Sequence, residues 1–164
     1  MPLLFLANRT DPVTKGDTEK AQAAADALGH RLVIVNASSQ SEIAPAFATL
    51  AQDKIAALFV NADPLYNVNF PEIRELAARN AMPIISSWEG FAADGGLISY
   101  GTSIDAANRL LGIYAGRVLK GEKPADLPVQ QSTKFRLVIN LKTAKALGIT
   151  IPASVIARAD EVIE

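Results

Sequence analysis

Three short segments concentrate side chains able to grip a small molecule. They are Asn8-Arg9-Thr10-Asp11-Pro12, Asn61-Ala62-Asp63-Pro64-Leu65-Tyr66-Asn67 and Ser86-Ser87-Trp88-Glu89-Gly90-Phe91, with Ser99-Tyr100-Gly101 further on. Asp63 can hold an amine, and Arg9 can hold a carboxylate through two parallel hydrogen bonds. The rings of Tyr66, Trp88 and Tyr100 can cover an apolar part, while Asn8, Thr10 and Ser87 fix orientation. That set points to non-covalent recognition of a small polar or amino-acid-like ligand.

Plainer roles exist for the same residues. Asn8, Asp11 and Pro12 are ordinary turn formers, and Asp63-Pro64 is also a helix start. Trp88, the only tryptophan, suits core packing equally well. Tyr66 follows a polar stretch with few apolar neighbours, which favours a contact role.

The sequence offers little for covalent or metal chemistry. It has no cysteine, which removes thiolate nucleophiles and zinc–thiolate sites. No GxGxxG follows the first apolar run, and neither GxxxxGK[ST] nor GxSxG occurs. The lone histidine, His30, follows Gly29 at a helix end and reads as a surface or capping residue. No cofactor or metal is expected. An enzyme would have to rest on carboxylates such as Asp11, Asp63 or Glu89, on a flavodoxin-like or sugar-isomerase-like domain. A ligand-free interaction domain is a third reading.

The elements that must position these loops follow from hydropathy. Leu3–Ala7, Leu32–Val35, Ile55–Val60, Pro83–Ser87 and Leu97–Tyr100 are apolar runs of strand length. Between them lie helical patterns: Thr18–Leu28, stopped by Gly29; a segment from Ser41 with Ile43, Phe47 and Leu50 on one stripe; and a segment from Pro71 with Ile73, Leu76 and Ala77. Strict alternation of this kind predicts βαβ units and a doubly wound parallel sheet covered on both faces, an α/β fold. In such sheets ligands bind beyond the carboxyl ends of the strands, which selects the loops above.

Beyond residue 101 the pattern changes. Ser103–Leu119 is a longer helix with Ile104, Ala107, Leu111, Tyr114 and Val118 on one stripe. Gly121 stops it, a polar connector runs from Glu122 to Pro128, and Phe135–Ile139 alternates like an edge strand. Thr143–Leu147 is a short helix closed by Gly148, and Pro152–Glu164 is a last short helix or tail. The division expected is 1–101 as the α/β ligand-binding lobe and 102–164 as a C-terminal extension.

Bulk composition narrows the partners. The 164 residues are 49% apolar and 20% charged, with a formal net charge of -1. Near-neutrality argues against nucleic acid, which selects a basic stripe, and provides no polybasic patch for a membrane surface. No run approaches the roughly 20 apolar residues of a membrane span. Met1–Ala7 lacks a basic leader region and reads as a strand rather than a signal peptide.

Longer motifs go further. Gly95-Gly96-Leu97-Ile98-Ser99-Tyr100-Gly101 precedes a long helix that ends Val118-Leu119-Lys120-Gly121-Glu122-Lys123-Pro124-Ala125-Asp126-Leu127-Pro128-Val129. Lys134-Phe135 and Asn140-Leu141-Lys142-Thr143-Ala144-Lys145-Ala146-Leu147-Gly148 follow, then Ile151-Pro152 and Ala159-Asp160-Glu161-Val162-Ile163-Glu164. Across essentially the whole chain these resemble the carboxyl-terminal half of ABC-transporter substrate-binding proteins related to the tryptophan-binding type. The resemblance implies a single Rossmann-like lobe of a type I periplasmic-binding protein, with a C-terminal helix–strand–helix extension. It implies an ABC permease as partner and a periplasmic location. The chain departs from the family by starting where the second lobe's first strand starts, without the first lobe or an export signal. A single cleft wall is expected to bind weakly. In the type I arrangement Ser103–Leu119 belongs to the other lobe. Its apolar stripe is expected to fold back on its own lobe or to pack on a second copy, giving a homodimer.

Overall fold

The computed structural model describes residues 2–48, 55–131 and 133–164. The first five strands are β1 (Leu3–Ala7), β2 (Leu32–Asn36), β3 (Ala57–Val60), β4 (Ile84–Ser86) and β5 (Ile98–Thr102). They alternate with α1 (Thr14–Ala27), α2 (Gln40–Ala48), α3 (Pro64–Val68) and α4 (Phe70–Arg79). Then come α5 (Ile104–Leu119), β6 (Phe135–Asn140), α6 (Leu141–Ala146), α7 (Ala153–Ile156) and β7 (Glu161–Ile163). One seven-stranded sheet contains them all, in the order β2-β1-β3-β4-β5-β6-β7. Every pairing is parallel except β5 with β6. The α/β doubly wound lobe expected from the hydropathy pattern is the fold observed.

Alternation along the strands assigns the two faces. Leu4, Leu6, Leu58, Val60 and Ile84 point to one side, where Ile43 and Phe47 of α2, Phe70 and Ile73 of α4, Tyr66 and Phe91 complete the core. Phe5, Phe59, Ile85 and Ile98 are in register across four strands and point to the other side. There α1 lies along the sheet, its Ala21, Ala24 and Leu28 bordering a groove over Phe5, Phe59 and Ile85. That placement follows from handedness: α1 returns leftward from β1 to β2, while α2 and α4 cross rightward, so right-handed crossovers put them on opposite faces.

Four sequence expectations shift. The first helix begins at Thr14 rather than Thr18, because Asp11 accepts from the Val13 amide at 3.0 Å and closes the turn early. β6 is not the edge strand: β7 pairs with it in parallel, so the expected terminal tail supplies the true edge. Both late strands extend the same sheet across residue 101. Cover on the two faces is also unequal, since the core lies on the α2–α4 side and the α1 side keeps an open groove of about 450 Å³. Leu50, expected on the α2 stripe, lies outside the described residues.

Candidate functional site

Register sets the site. Leu6 of β1 pairs with Val60 of β3, and Val60 pairs with Ser86 of β4. The loops that follow these residues therefore leave the sheet side by side at its carboxyl edge, beginning at Asn8, Asn61 and Ser87.

Asn8 and Asp63 meet directly. The Asn8 amide donates to one Asp63 carboxylate oxygen at 3.0 Å. The other oxygen accepts from the Leu65 backbone N–H at 2.7 Å, so Asp63 is the N-cap of α3. The carboxylate is only 2% exposed. Both its oxygens are engaged, so the expected amine-holding role gives way to a positioning role. The Asn8 carbonyl oxygen in turn accepts from the Thr10 amide and hydroxyl at 3.0 and 2.7 Å. This fixes the turn that carries exposed Arg9 and Thr10.

Tyr66 corrects a sequence expectation. It is part of α3, not a loop, and is 1% exposed within the core cluster. Its hydroxyl donates to the Ala37 carbonyl at 2.7 Å. Burial raises the phenol's pKa far above the ordinary value, and the nearby Asp63 charge adds to the rise. The side chain ties α3 to the end of β2 and offers no surface to a ligand. Apolar neighbours came from α2 and α4, elements distant in sequence, so local polarity around Tyr66 was no guide.

Trp88 is half-buried against the core and meets Phe70 edge-on at 6.3 Å between ring centroids. Its backbone N–H donates to the Ser86 hydroxyl at 3.2 Å. Ser87 borders the α1-side groove together with Asn61. Tyr100 lies within β5, 59% exposed, and stacks on Phe135 with centroids 5.8 Å apart. It belongs to the sheet surface rather than to the Asn8–Asp63 pair.

One residue escaped the sequence reading, and another lay in a selected loop without being given a role. Ser38, just past β2, accepts from the Arg9 N–H through its hydroxyl at 3.2 Å. The strand-end rule, applied to β2 as well, would have selected it. Asn61 is buried and its side chain bonds Asp17 of α1 at 3.3 Å and the Ala62 N–H at 3.0 Å.

Each carboxylate that the enzyme reading named accepts at least one local hydrogen bond. Asp11 holds the Val13 N–H, Asp63 is engaged as above, and Glu89 accepts from the Ile104 N–H and pairs with Arg136. No cluster of potential metal ligands occurs among the described residues.

A tyrosine-binding protein of Clostridioides difficile is 33% identical over 112 residues, covering 68% of this chain and 32% of that protein. A solved ABC domain from Streptococcus pneumonia in complex with L-Trp is 31% identical, with a TM-score of 0.88 over 99% of this chain and 55% of that one. A conserved domain protein from Vibrio cholerae shares the fold at 24% identity and TM-score 0.87, over 98% of this chain and 54% of that one. The chain thus spans about a third of the curated relative and about half of these solved chains. The model of the family described as ABC transporter substrate binding protein matches residues 7–163, nearly the whole sheet and every loop at its carboxyl edge, and the chain belongs to that family.

Proposed function

We propose that this chain is one ligand-gripping lobe of the solute receptor of an ABC importer, and that its ligand is an aromatic amino acid. The observation that carries the reading is the pinned edge at β1, β3 and β4, where Asp63 fixes Asn8 and Asn8 fixes the Arg9–Thr10 turn. Around it Arg9 suits a carboxylate, Thr10 and Ser87 supply hydrogen bonds, and Trp88 supplies a ring face. The relatives named for tyrosine and crystallised with L-Trp support the ligand class. Asp63 acts by positioning. A receptor of this type presents its closed, ligand-bound form to a membrane permease outside the cytoplasm, and it binds without covalent chemistry.

Nuclear magnetic resonance titration of the isotope-labelled chain with L-tryptophan, L-tyrosine and L-alanine tests this, because it reads weak binding by a single wall. The expected result is fast-exchange shifts at the amides of residues 8–10, 61–62 and 87–88 with the aromatic ligands and none with alanine. No shift at those amides with either aromatic ligand overturns the proposal.

A further inference from the structure

Among the described residues, one buried side-chain polar atom has no hydrogen-bond partner: the hydroxyl oxygen of Thr14, a residue only 6% exposed. A covered hydroxyl without a partner lowers stability, and folded proteins rarely keep one. Valine has the same shape and carries no such cost. The hydroxyl therefore answers to something other than the packing of this lobe.

Thr14 is the first residue of α1, a helix of 14 residues. The turn that leaves β1 at Asn8 delivers it to the carboxyl edge of the sheet. Three positions on, and so on the same side of the helix, Asp17 accepts from the Asn61 side chain at 3.3 Å. Thr14 thus lies one turn nearer the edge than Asp17, where the loops beginning at Asn8 and Asn61 leave the strands.

The helix end there is open. The first four N–H groups of a helix have no acceptor within it. Asp11 takes two of them, from Val13 through its carboxylate at 3.0 Å and from Thr14 through its carbonyl at 3.2 Å. Val13, at the N-cap position, contributes no side-chain cap, which leaves the Lys15 and Gly16 amides to an outside acceptor. Space is available beside them, since a Cβ on Gly16 would meet nothing within 4 Å.

We propose that this end of α1 seats the charged head of the amino-acid ligand. Its α-carboxylate accepts from the Thr14 hydroxyl and from the Lys15 and Gly16 amides, at the positive end of the helix dipole. Asn61 occupies one Asp17 oxygen, and the α-ammonium donates to the other. Thr14 and Asp17 are neighbours on the helix face, about 5–6 Å apart between Cβ atoms, a separation that the two ends of one α-amino acid bridge with their hydrogen bonds. In helices threonine divides between two χ1 wells, so a short rotation carries its hydroxyl from the covered position to the helix end. Asp17 repels a carboxylate that arrives without an ammonium, and the helix dipole disfavours an amine that arrives alone, so the seat selects the zwitterion. Resting on the amino-acid reading above, this seat supplies the amine acceptor that Asp63, with both oxygens engaged, does not. It leaves the Trp88 ring for the ligand's side chain.

Titration of the isotope-labelled chain with L-tryptophan separates the seat from the reading beneath it. Amide shifts are expected at residues 14–17 together with those at 8–10, 61–62 and 87–88. Shifts at the other residues without 14–17 overturn the proposal and leave the aromatic-ligand reading standing; no shift at any of them removes both. Thr14→Val should keep or raise the urea midpoint, because the hydroxyl has no partner in the fold. It should weaken L-tryptophan binding about tenfold, read from the slope of the shifts with concentration. Asp17→Asn, which can still accept from Asn61, should weaken L-tryptophan about tenfold and improve binding of indole-3-propionate, which has the carboxylate and ring but no ammonium. A Thr14→Val chain with the parent's affinity or a lowered midpoint overturns the proposal, and so does an Asp17→Asn chain that binds the two compounds as the parent does.

Discussion

The side-chain amide of Asn8 donates to the Asp63 carboxylate at 3.0 Å, joining the end of β1 to the first turn of α3 across 55 residues of sequence. A buried hydrogen bond to a charged acceptor contributes more than an ordinary one, and breaking it strands the partner that stays. Asn8→Ala should lower stability by about 2 kcal/mol. Asp63→Ala, which also removes the α3 cap, should lower it by about 3 kcal/mol. Urea unfolding reads both, and the double variant should cost less than the sum, because the two residues share one bond.

Tyr66 predicts the alkaline limit of the fold. Its folded pKa is raised above the ordinary 10.0, chiefly by burial and then by Asp63. The folded state therefore holds the phenol proton more tightly than the unfolded chain does. The resulting stability is complete below the unfolded value and is lost as pH rises above it, because the unfolded phenol ionises while the buried one resists. Tyr66→Phe should be less stable near neutrality by about 1–2 kcal/mol, as the Ala37 carbonyl loses its donor. Its stability should fall less steeply above pH 10 than that of the parent. Thermal unfolding across that range compares the slopes.

Gly101 has no room for a side chain. A Cβ there would stand 1.8 Å from the Ser87 carbonyl oxygen, so β5 and the segment after β4 approach more closely than any other residue allows. Gly101→Ala should cost more than about 3 kcal/mol, since backbone rather than a flexible side chain must move. Gly16, in α1, meets nothing within 4 Å. Gly16→Ala should raise stability by about 0.5–1 kcal/mol through helix propensity. Denaturant midpoints of the two variants should move in opposite directions.

Glu89 ties the start of α5 to β6. It accepts from the Ile104 N–H at 2.7 Å, and Arg136, which it pairs with, also pairs with Glu161 of β7. Glu89→Gln weakens the ion pair and the charged acceptor at the helix start together. Amide hydrogen exchange should quicken at residues 103–107 while the amides of β1, β3 and β4 keep their protection.

The strands and the side-by-side placement of the candidate loops were readable from the sequence because each is written locally. Leu3–Ala7 coincides with β1 to the residue, and β-branched and apolar runs bounded by Gly, Asn and Pro marked the next four strands. The alternation of strand and helix then set the parallel sheet, and the carboxyl-edge rule chose loops that do lie side by side. Asp63 as a helix cap was likewise legible, since Asp-Pro is a local start signal.

Which side chains in those loops face outward was decided elsewhere. Tyr66 and Asp63 sit in loops chosen by the same rule as Arg9 and Thr10, yet Tyr66 is buried in the core cluster that α2 and α4 share, Asp63 is buried against Asn8 and the α3 start, and Arg9 and Thr10 stay at the surface. The direction of α5 is the same kind of quantity: its helical period is written in residues 104–119, but its exit is set by Glu89, Lys134 and Arg136, which no local pattern connects to it. β7 was missed because three residues, Glu161–Ile163, make a strand only against β6. Backbone preference and hydropathy act over a few residues and specify the elements; burial and hydrogen-bond partnership depend on distances between elements, which exist only once the chain has folded.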